Sequence, residues 1–164
     1  MKKILKSKLL LYFIILYQIA AGLFGLYIAS QQSLNFIVSY PLHFIIIVGL
    51  FVFSIICGVK IWFNKVKGLK LSIINQYLQL IQFSILGFGF YYVAGIYLAT
   101  GFSDTPNYHF LFDSSFFRSS CYITINSSDN EIAVLVNLVA VGLIILMDNL
   151  TPLYRDENKN LAQD

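Results

Sequence analysis

The stretch LSIINQYLQLIQFSILGFGF, residues 71–90, contains no charged residue, yet it carries four amides within an otherwise apolar run: Asn75, Gln76, Gln79 and Gln82. An apolar run of this length predicts a helix that spans a membrane. In hydrocarbon an amide without a hydrogen-bond partner costs several kcal/mol. The role of these amides, as a binding site, a pore lining or a contact between helices, is therefore the first question that the sequence raises.

Composition indicates that the whole chain is a membrane protein. Its 164 residues are 58% apolar with a mean hydropathy of +0.74, whereas roughly half of a soluble domain or less is apolar. Four apolar runs approach the roughly 20 residues that cross a hydrocarbon core, and they cover residues 9–29, 42–63, 71–99 and 131–150. We therefore expect an all-α integral membrane protein, a four-transmembrane-helix bundle that forms one domain over residues 1–154.

The connections between the predicted spans carry their own signals. Residues 128–131 match the S-x-x-E capping box, which predicts that the last helix begins near Asp129. In the loop of residues 100–130, apolar and polar residues alternate on both sides of a short Asp-Ser-Ser segment. This alternation predicts a small β-hairpin that rests on the bundle or the membrane surface. The polar residues 155–164 predict a flexible cytoplasmic tail.

The basic residues predict the orientation. Of the eleven Lys and Arg residues, all except Arg118 precede the first span, surround the second connection or follow the last span. The positive-inside rule then places both termini in the cytoplasm. An excess of Lys over Arg, with abundant Ile, Phe and Asn, suggests a bacterial source and thus a multi-pass protein of the cytoplasmic membrane. The basic start also resembles a signal peptide, but its apolar run of 21 residues exceeds the usual signal length of about 7–15 and predicts retention.

The depth of the amides bears on their role. On a helical wheel Asn75, Gln79 and Gln82 share about one third of the circumference, with Gln76 to one side. A helix over residues 71–99 would be about 43 Å long, which exceeds a core of about 30 Å. We therefore expect Asn75, Gln76 and Gln79 at the cytoplasmic boundary and only Gln82 inside the core.

Two further amides, Gln18 and Asn137, are predicted at other depths of the bundle. Scatter of this kind favours separate hydrogen bonds between helices. A pathway for a polar solute, lined by these amides, is the alternative. Ala21, Gly25 and Ala29 recur at every fourth position, which predicts close helix packing, either within the bundle or with a partner.

Candidates for chemistry are few. No Asp, Glu, Lys or Arg lies deep in a predicted span, which argues against ion-coupled transport. On the outer side His43, His109 and Cys121 could approach one another as metal ligands or as a nucleophile pair, but their spacing matches no known motif. We expect no catalytic residue, no cofactor and no metal site. The dispersed basic residues also argue against nucleic-acid binding.

These observations favour a non-catalytic role. We expect an accessory, assembly or interaction subunit of a membrane complex, with the lipid bilayer and another membrane protein, or a second copy of the chain, as partners. One alternative is an oligomeric channel or facilitator for a small polar solute. The other is a membrane enzyme with a site at the outer surface.

Overall fold

The computed structural model describes residues 2–104, 109–125 and 132–160. These ranges contain five helices and a four-stranded antiparallel sheet. The elements in chain order are α1 (Lys2–Ser30), α2 (Leu34–Ser39), α3 (Pro41–Phe63), α4 (Lys65–Leu80), β1 (Ile81–Ile85), β2 (Phe88–Ser103), β3 (His109–Thr124), β4 (Ala133–Asn137) and α5 (Leu138–Asn160).

Three helices of the described ranges are long and apolar enough to cross a membrane: Ser7–Ser30, Pro41–Phe63 and Leu138–Arg155. The first two agree closely with the predicted spans of residues 9–29 and 42–63. Helix α4 has 16 residues and is therefore about 24 Å long, which is shorter than a hydrocarbon core.

The prediction of an all-α four-helix bundle is wrong, and the third predicted span shows why. Helix α4 ends at Leu80, and Ile81 is already extended, with φ −114° and ψ 128°. Leu86 and Gly87 then both take positive φ values, 50° and 83°, as the two central residues of a tight hairpin turn do. The prediction assumed that hydrocarbon would enforce a helix. In the structure antiparallel strands satisfy each other's backbone groups, so the Phe, Tyr, Val and Ile residues follow their β-propensity.

The fourth predicted span, residues 131–150, also begins as a strand. Helix α5 follows β4 directly, and the side-chain oxygen of Asn137 accepts hydrogen bonds from the N–H groups of Val139 at 3.1 Å and Ala140 at 3.4 Å. Asn137 thus caps the helix, which begins later than the predicted start near Asp129. The capping box of residues 128–131 lies outside the described residues, and α5 continues to Asn160, into the segment predicted as a flexible tail.

Strand β2 organises the sheet, whose order is β1-β4-β2-β3. It pairs with β3 along almost its whole length, from Gly89 opposite Thr124 to Ser103 opposite His109. Residues 109–124 therefore form one continuous strand paired with β2, and the predicted hairpin within the loop is wrong. The alternation of apolar and polar residues does correspond to a strand, but its partner, β2, lies in the segment that the sequence predicts as a helix.

A sharp bend in β2 follows from its other pairings. One end of β2 is antiparallel to β1, the other end is antiparallel to β4, and β1 and β4 are antiparallel to each other. Straight strands cannot satisfy all three relations, so β2 must change direction between its ends. The register of β2 against β3 shifts between Gly95 and Tyr97, which marks a β-bulge, and bulges bend strands. Gly95 has a φ of +107°, a conformation that favours glycine.

Three apolar clusters hold the elements together. The first lies where α1, α3, α4 and α5 meet, and Ile14, Ile61 and Met147 are fully buried in it. A second joins α1 and α3 to β2, and a third lines the other face of β2. Helices α1 and α3 approach closely at Gly25, because glycine has no Cβ and a Cβ there would overlap the Phe51 ring.

Candidate functional site

The amides of α4 face the protein interior. Asn75, Gln76 and Gln79 are each at most 1% exposed, and Gln82, which lies in β1, is equally buried. The predicted depth of these amides in the membrane requires one helix through residue 99, but the helix ends at Leu80. The amides therefore do not project from the bundle but meet the sheet that follows them.

Two side chains hold the bend of β2, and we call this pair the bulge clasp: Tyr17 of α1 and Gln79 of α4. The Oε1 atom of Gln79 accepts a hydrogen bond from the Ala94 N–H at 2.9 Å. The Tyr17 hydroxyl accepts one from the Ile96 N–H at 3.1 Å and donates to the Ala94 carbonyl at 3.2 Å. A bulge leaves backbone groups without ladder partners, and the clasp supplies these partners inside a buried region.

A second chain of hydrogen bonds connects three helices to β2. The Nδ2 atom of Asn75 donates to the Ser54 hydroxyl at 3.2 Å, and that hydroxyl donates to the backbone carbonyl of Gln18 at 3.2 Å. The Oδ1 atom of Asn75 accepts from the Tyr92 hydroxyl at 3.2 Å. Asn75 therefore links α1, α3, α4 and β2 through side-chain and backbone groups.

The other predicted polar residues occupy separate places. Gln82 accepts a hydrogen bond from the Tyr97 hydroxyl at 2.7 Å on the inner face of the sheet, and Asn137 caps α5. The amide group of Gln18 is buried, and neither of its polar atoms has a hydrogen-bond partner among the described residues. The structure thus distributes these amides between the helix bundle, the sheet and a helix start.

The small residues of α1 contact this chain's own elements. Gly25 faces the Phe51 ring, Ala29 lies in the same cluster, and the carbonyl of Ala21 accepts a hydrogen bond from the Ser119 hydroxyl of β3 at 3.1 Å. This face of α1 therefore meets α3 on one side and the β2–β3 ribbon on the other.

The structure brings together two of the three residues of the predicted outer cluster. His43 and Cys121 line one cavity of about 480 Å³ between the start of α3 and the end of β3. His109 lies twelve residues before Cys121 in the same strand, about 40 Å away if β3 were straight. The remaining lining residues are Gln32, Tyr40, Ile47, Tyr122, Ile123, Thr124 and Ile125.

The electrostatics of this cavity do not favour nucleophilic chemistry. Burial raises the pKa of the Cys121 thiol to about 12, so the thiol stays protonated at neutral pH and is a weak nucleophile and metal ligand. No group of three His, Cys, Asp or Glu residues in the described ranges is placed to hold a metal ion. The His43 ring stands edge-on to Tyr40, with ring centroids 5.8 Å apart, so an aromatic contact fixes its position.

Several highly exposed apolar side chains lie on the first half of β3. Phe110, Phe112 and Phe116 are 61%, 65% and 86% exposed. Phe117 points back to the bundle and packs on Phe24 of α1, with ring centroids 5.3 Å apart. We call residues 110–117 the outer edge. The alternating pattern in the sequence predicts extended backbone here, but only the structure shows that these phenylalanines lie on a strand that pairs on one side only within the described ranges.

Two charged residues of β3, Asp113 and Arg118, bind each other, and Arg118 also contacts aromatic rings. Arg118 forms an ion pair with Asp113 at 2.7 Å. Its guanidinium also lies 5.5 Å from the ring centroid of Tyr91 and 5.4 Å from that of Tyr97, within the range of cation–π attraction. Arg118 thus stabilises the inner face of the ribbon.

Comparison of the chain with protein-family models, with curated proteins and with solved structures finds no match.

Proposed function

We propose that this protein is a non-catalytic interaction subunit of a membrane complex, and that its outer edge binds an extended segment of another membrane protein. The observation that carries the proposal is the coincidence of exposed phenylalanines with a strand edge at residues 110–117 that no further strand covers within the described ranges. We further propose a bacterial cytoplasmic membrane, which rests on the composition of the sequence. Three crossing helices would place the two termini on opposite sides of the bilayer, so the expectation of both termini in the cytoplasm, which required four spans, is not proposed.

The backbone of the outer edge requires a partner. Within the described ranges β3 pairs only with β2, so about half of its N–H and C=O groups point away from the sheet. Hydrocarbon cannot satisfy those groups, whereas water can. The phenylalanines, however, are disfavoured in water. A strand from another protein satisfies both requirements, because it pairs with the backbone and covers the rings.

The sequence of β3 lacks the usual protection of an edge strand. Natural edges often carry Lys or Pro, which hinder pairing with a further strand. The segment His109–Thr124 contains neither, and its charges, Asp113 and Arg118, neutralise each other in an ion pair. The edge is therefore open to a further strand, with the bulge at Phe116 and Phe117 as its limit.

The ribbon is held rigidly enough to present this edge. Phe117 packs on Phe24, and the Ser119 hydroxyl binds the backbone of Ala21. Both contacts tie β3 to α1, a candidate membrane span. A bound segment would thus be fixed relative to the bilayer, as assembly of a membrane complex requires.

Site-specific photo-crosslinking tests the proposal. A photoreactive phenylalanine analogue replaces Phe112 in the full chain, and cells are irradiated before the membranes are solubilised. We expect one discrete adduct heavier than the protein itself. The adduct should disappear with the additional substitution Phe116→Lys, which places a charge on the edge.

The matched control is Phe63→Lys, because Phe63 is 80% exposed but lies at the end of α3. This variant should keep the adduct. An adduct of twice the chain mass would replace the proposal with self-association, and an adduct that survives Phe116→Lys would show that the outer edge is not the binding surface.

A further inference from the structure

We infer that the cavity lined by His43 and Cys121 binds the acyl chain of a bilayer phospholipid, with the polar part of that lipid at the cavity rim. This inference does not depend on the proposed function, because the cavity lies at the other end of β3 from the outer edge.

Size and lining suit such a ligand. A volume of about 480 Å³ falls within the roughly 300–1,000 Å³ of small-molecule sites, which are largely apolar with a few polar groups. None of the nine lining residues is Asp, Glu, Lys or Arg. The cavity therefore offers apolar contact and hydrogen bonds but no formal charge to select a strongly charged ligand.

The polar and apolar residues are separated along the cavity. Ile47 lies six residues after Pro41, about 9 Å down the axis of α3, and it is almost fully buried. Gln32, Tyr40 and His43 lie before it, at the start of this candidate span. On the strand side Cys121 and Ile123 are partly buried, whereas Ile125 at the end of the lining is 62% exposed. The polar side of the cavity thus lies near the helix start, and its buried apolar side lies at Ile47.

This arrangement places the polar side of the cavity at a membrane boundary for either orientation of the chain. Helix α3 is long and apolar enough to cross a bilayer, so its first turn lies at the headgroup level and Ile47 lies at the level of the first methylene groups. An acyl chain entering from the bilayer meets apolar residues at that depth. The carbonyl and phosphate oxygens of the lipid then lie beside the donors of Gln32 and His43.

Photolabelling in vesicles tests the inference. The full-length protein is reconstituted in palmitoyl-oleoyl-phosphatidylcholine vesicles that contain a small fraction of the same lipid with a diazirine on one acyl chain. After irradiation the labelled residues are identified by mass spectrometry. We expect labelling of Ile47, Cys121 and Ile123 well above that of Phe13, which is exposed on α1 and reports ordinary lipid contact.

Two variants separate filling of the cavity from loss of the fold. Ile123→Trp fills the cavity, and Ile125→Trp blocks its exposed end at a position where folding is not at risk. Each should reduce cavity labelling several-fold and leave labelling of Phe13 unchanged. Labelling of Ile47 and Cys121 no higher than that of Phe13, or unchanged labelling in Ile125→Trp, would overturn the inference.

A competition arm identifies the source of the chain. Free oleic acid added to the same vesicles should not reduce cavity labelling below the dilution expected for any lipid. If it removes the label selectively, the site binds a free fatty acid, and the assignment to a bilayer phospholipid is wrong.

Discussion

Residues 41–63 and residues 71–99 are similarly apolar, yet they fold differently. Residues 41–63 form one uninterrupted helix, α3, whereas the predicted span of residues 71–99 divides into α4, β1 and β2. Both segments contain many β-branched and aromatic residues. The second differs in having Gly87 at a tight turn and in having a strand, β3, later in the chain with which it pairs.

This difference shows that hydropathy alone does not select a helix. A segment in lipid must satisfy its own backbone, and a helix does so locally. A segment that finds another strand and is covered by helices satisfies its backbone at long range, and its intrinsic β-propensity then decides. The bulge clasp joins α1 and α4 to β2. Substitutions of its residues therefore test whether contacts from the helices hold the strand.

The largest effect is expected from Gly95→Ala in the bend of β2. The positive φ strains any other residue, and the new Cβ would lie 2.5 Å from the Tyr17 hydroxyl. Strain and a lost hydrogen bond together should lower the free energy of unfolding by about 3 kcal/mol. Denaturant unfolding in mild detergent measures this. Gly49→Ala in α3 is the control, because a Cβ there meets nothing within 4 Å; an equal loss in both variants would contradict a special role of the bend.

Tyr17→Phe should have the next largest effect. It removes the acceptor of the Ile96 N–H and the donor to the Ala94 carbonyl while it keeps the ring. Two buried backbone groups without partners correspond to a loss of about 2 kcal/mol. The same unfolding experiment on Tyr27→Phe, an exposed tyrosine of the same helix, should show almost no change. If both variants unfold like the unmodified protein, the clasp does not hold the ribbon.

Gln79→Leu should cost about 1 kcal/mol, less than Tyr17→Phe. The Ala94 N–H loses its acceptor, which is unfavourable by about 1–3 kcal/mol. The substitution also removes the Nε2 atom, which is buried without a hydrogen-bond partner among the described residues, and this offsets part of the loss. Because both clasp residues bind the same bend, the double variant with Tyr17→Phe should be non-additive; strict additivity would show that they act independently.

The smallest effect concerns reactivity at Cys121 and leaves stability unchanged. Burial raises the pKa of this thiol to about 12, so the reactive thiolate is a minor species throughout the physiological range. In a Cys57→Ser background, alkylation of Cys121 should accelerate about tenfold per pH unit from pH 7 to 10 without a plateau. A Ser30→Cys variant, exposed at the end of α1, should level off near the ordinary thiol pKa of about 8.5. A plateau of Cys121 at that same pH would show that the thiol is not buried.

Parts of the candidate sites were visible in the sequence. Alternation in residues 108–125 predicted extended backbone, although as a hairpin rather than as the single strand β3, and the apolar composition predicted α1 and α3. The proximity of His43 to Cys121 was one of several possibilities, whereas His109 was grouped with them wrongly because a continuous strand separates it from Cys121. Tyr17 was missed, since a tyrosine in an apolar helix carries no signal for a bulge 77 residues later.

By itself the sequence determined the helical pair α1 and α3 and the β-character of β3, because these depend on local hydropathy and alternation. Only the tertiary structure decided that residues 71–90 change from helix to strand, since β1 and β2 are stable only when β3 and β4 pair with them. It also decided the role of the amides. Asn75 and Gln79 bind hydroxyl and backbone groups of α3 and β2, because a strand that bends inside an apolar interior needs polar partners from its neighbours.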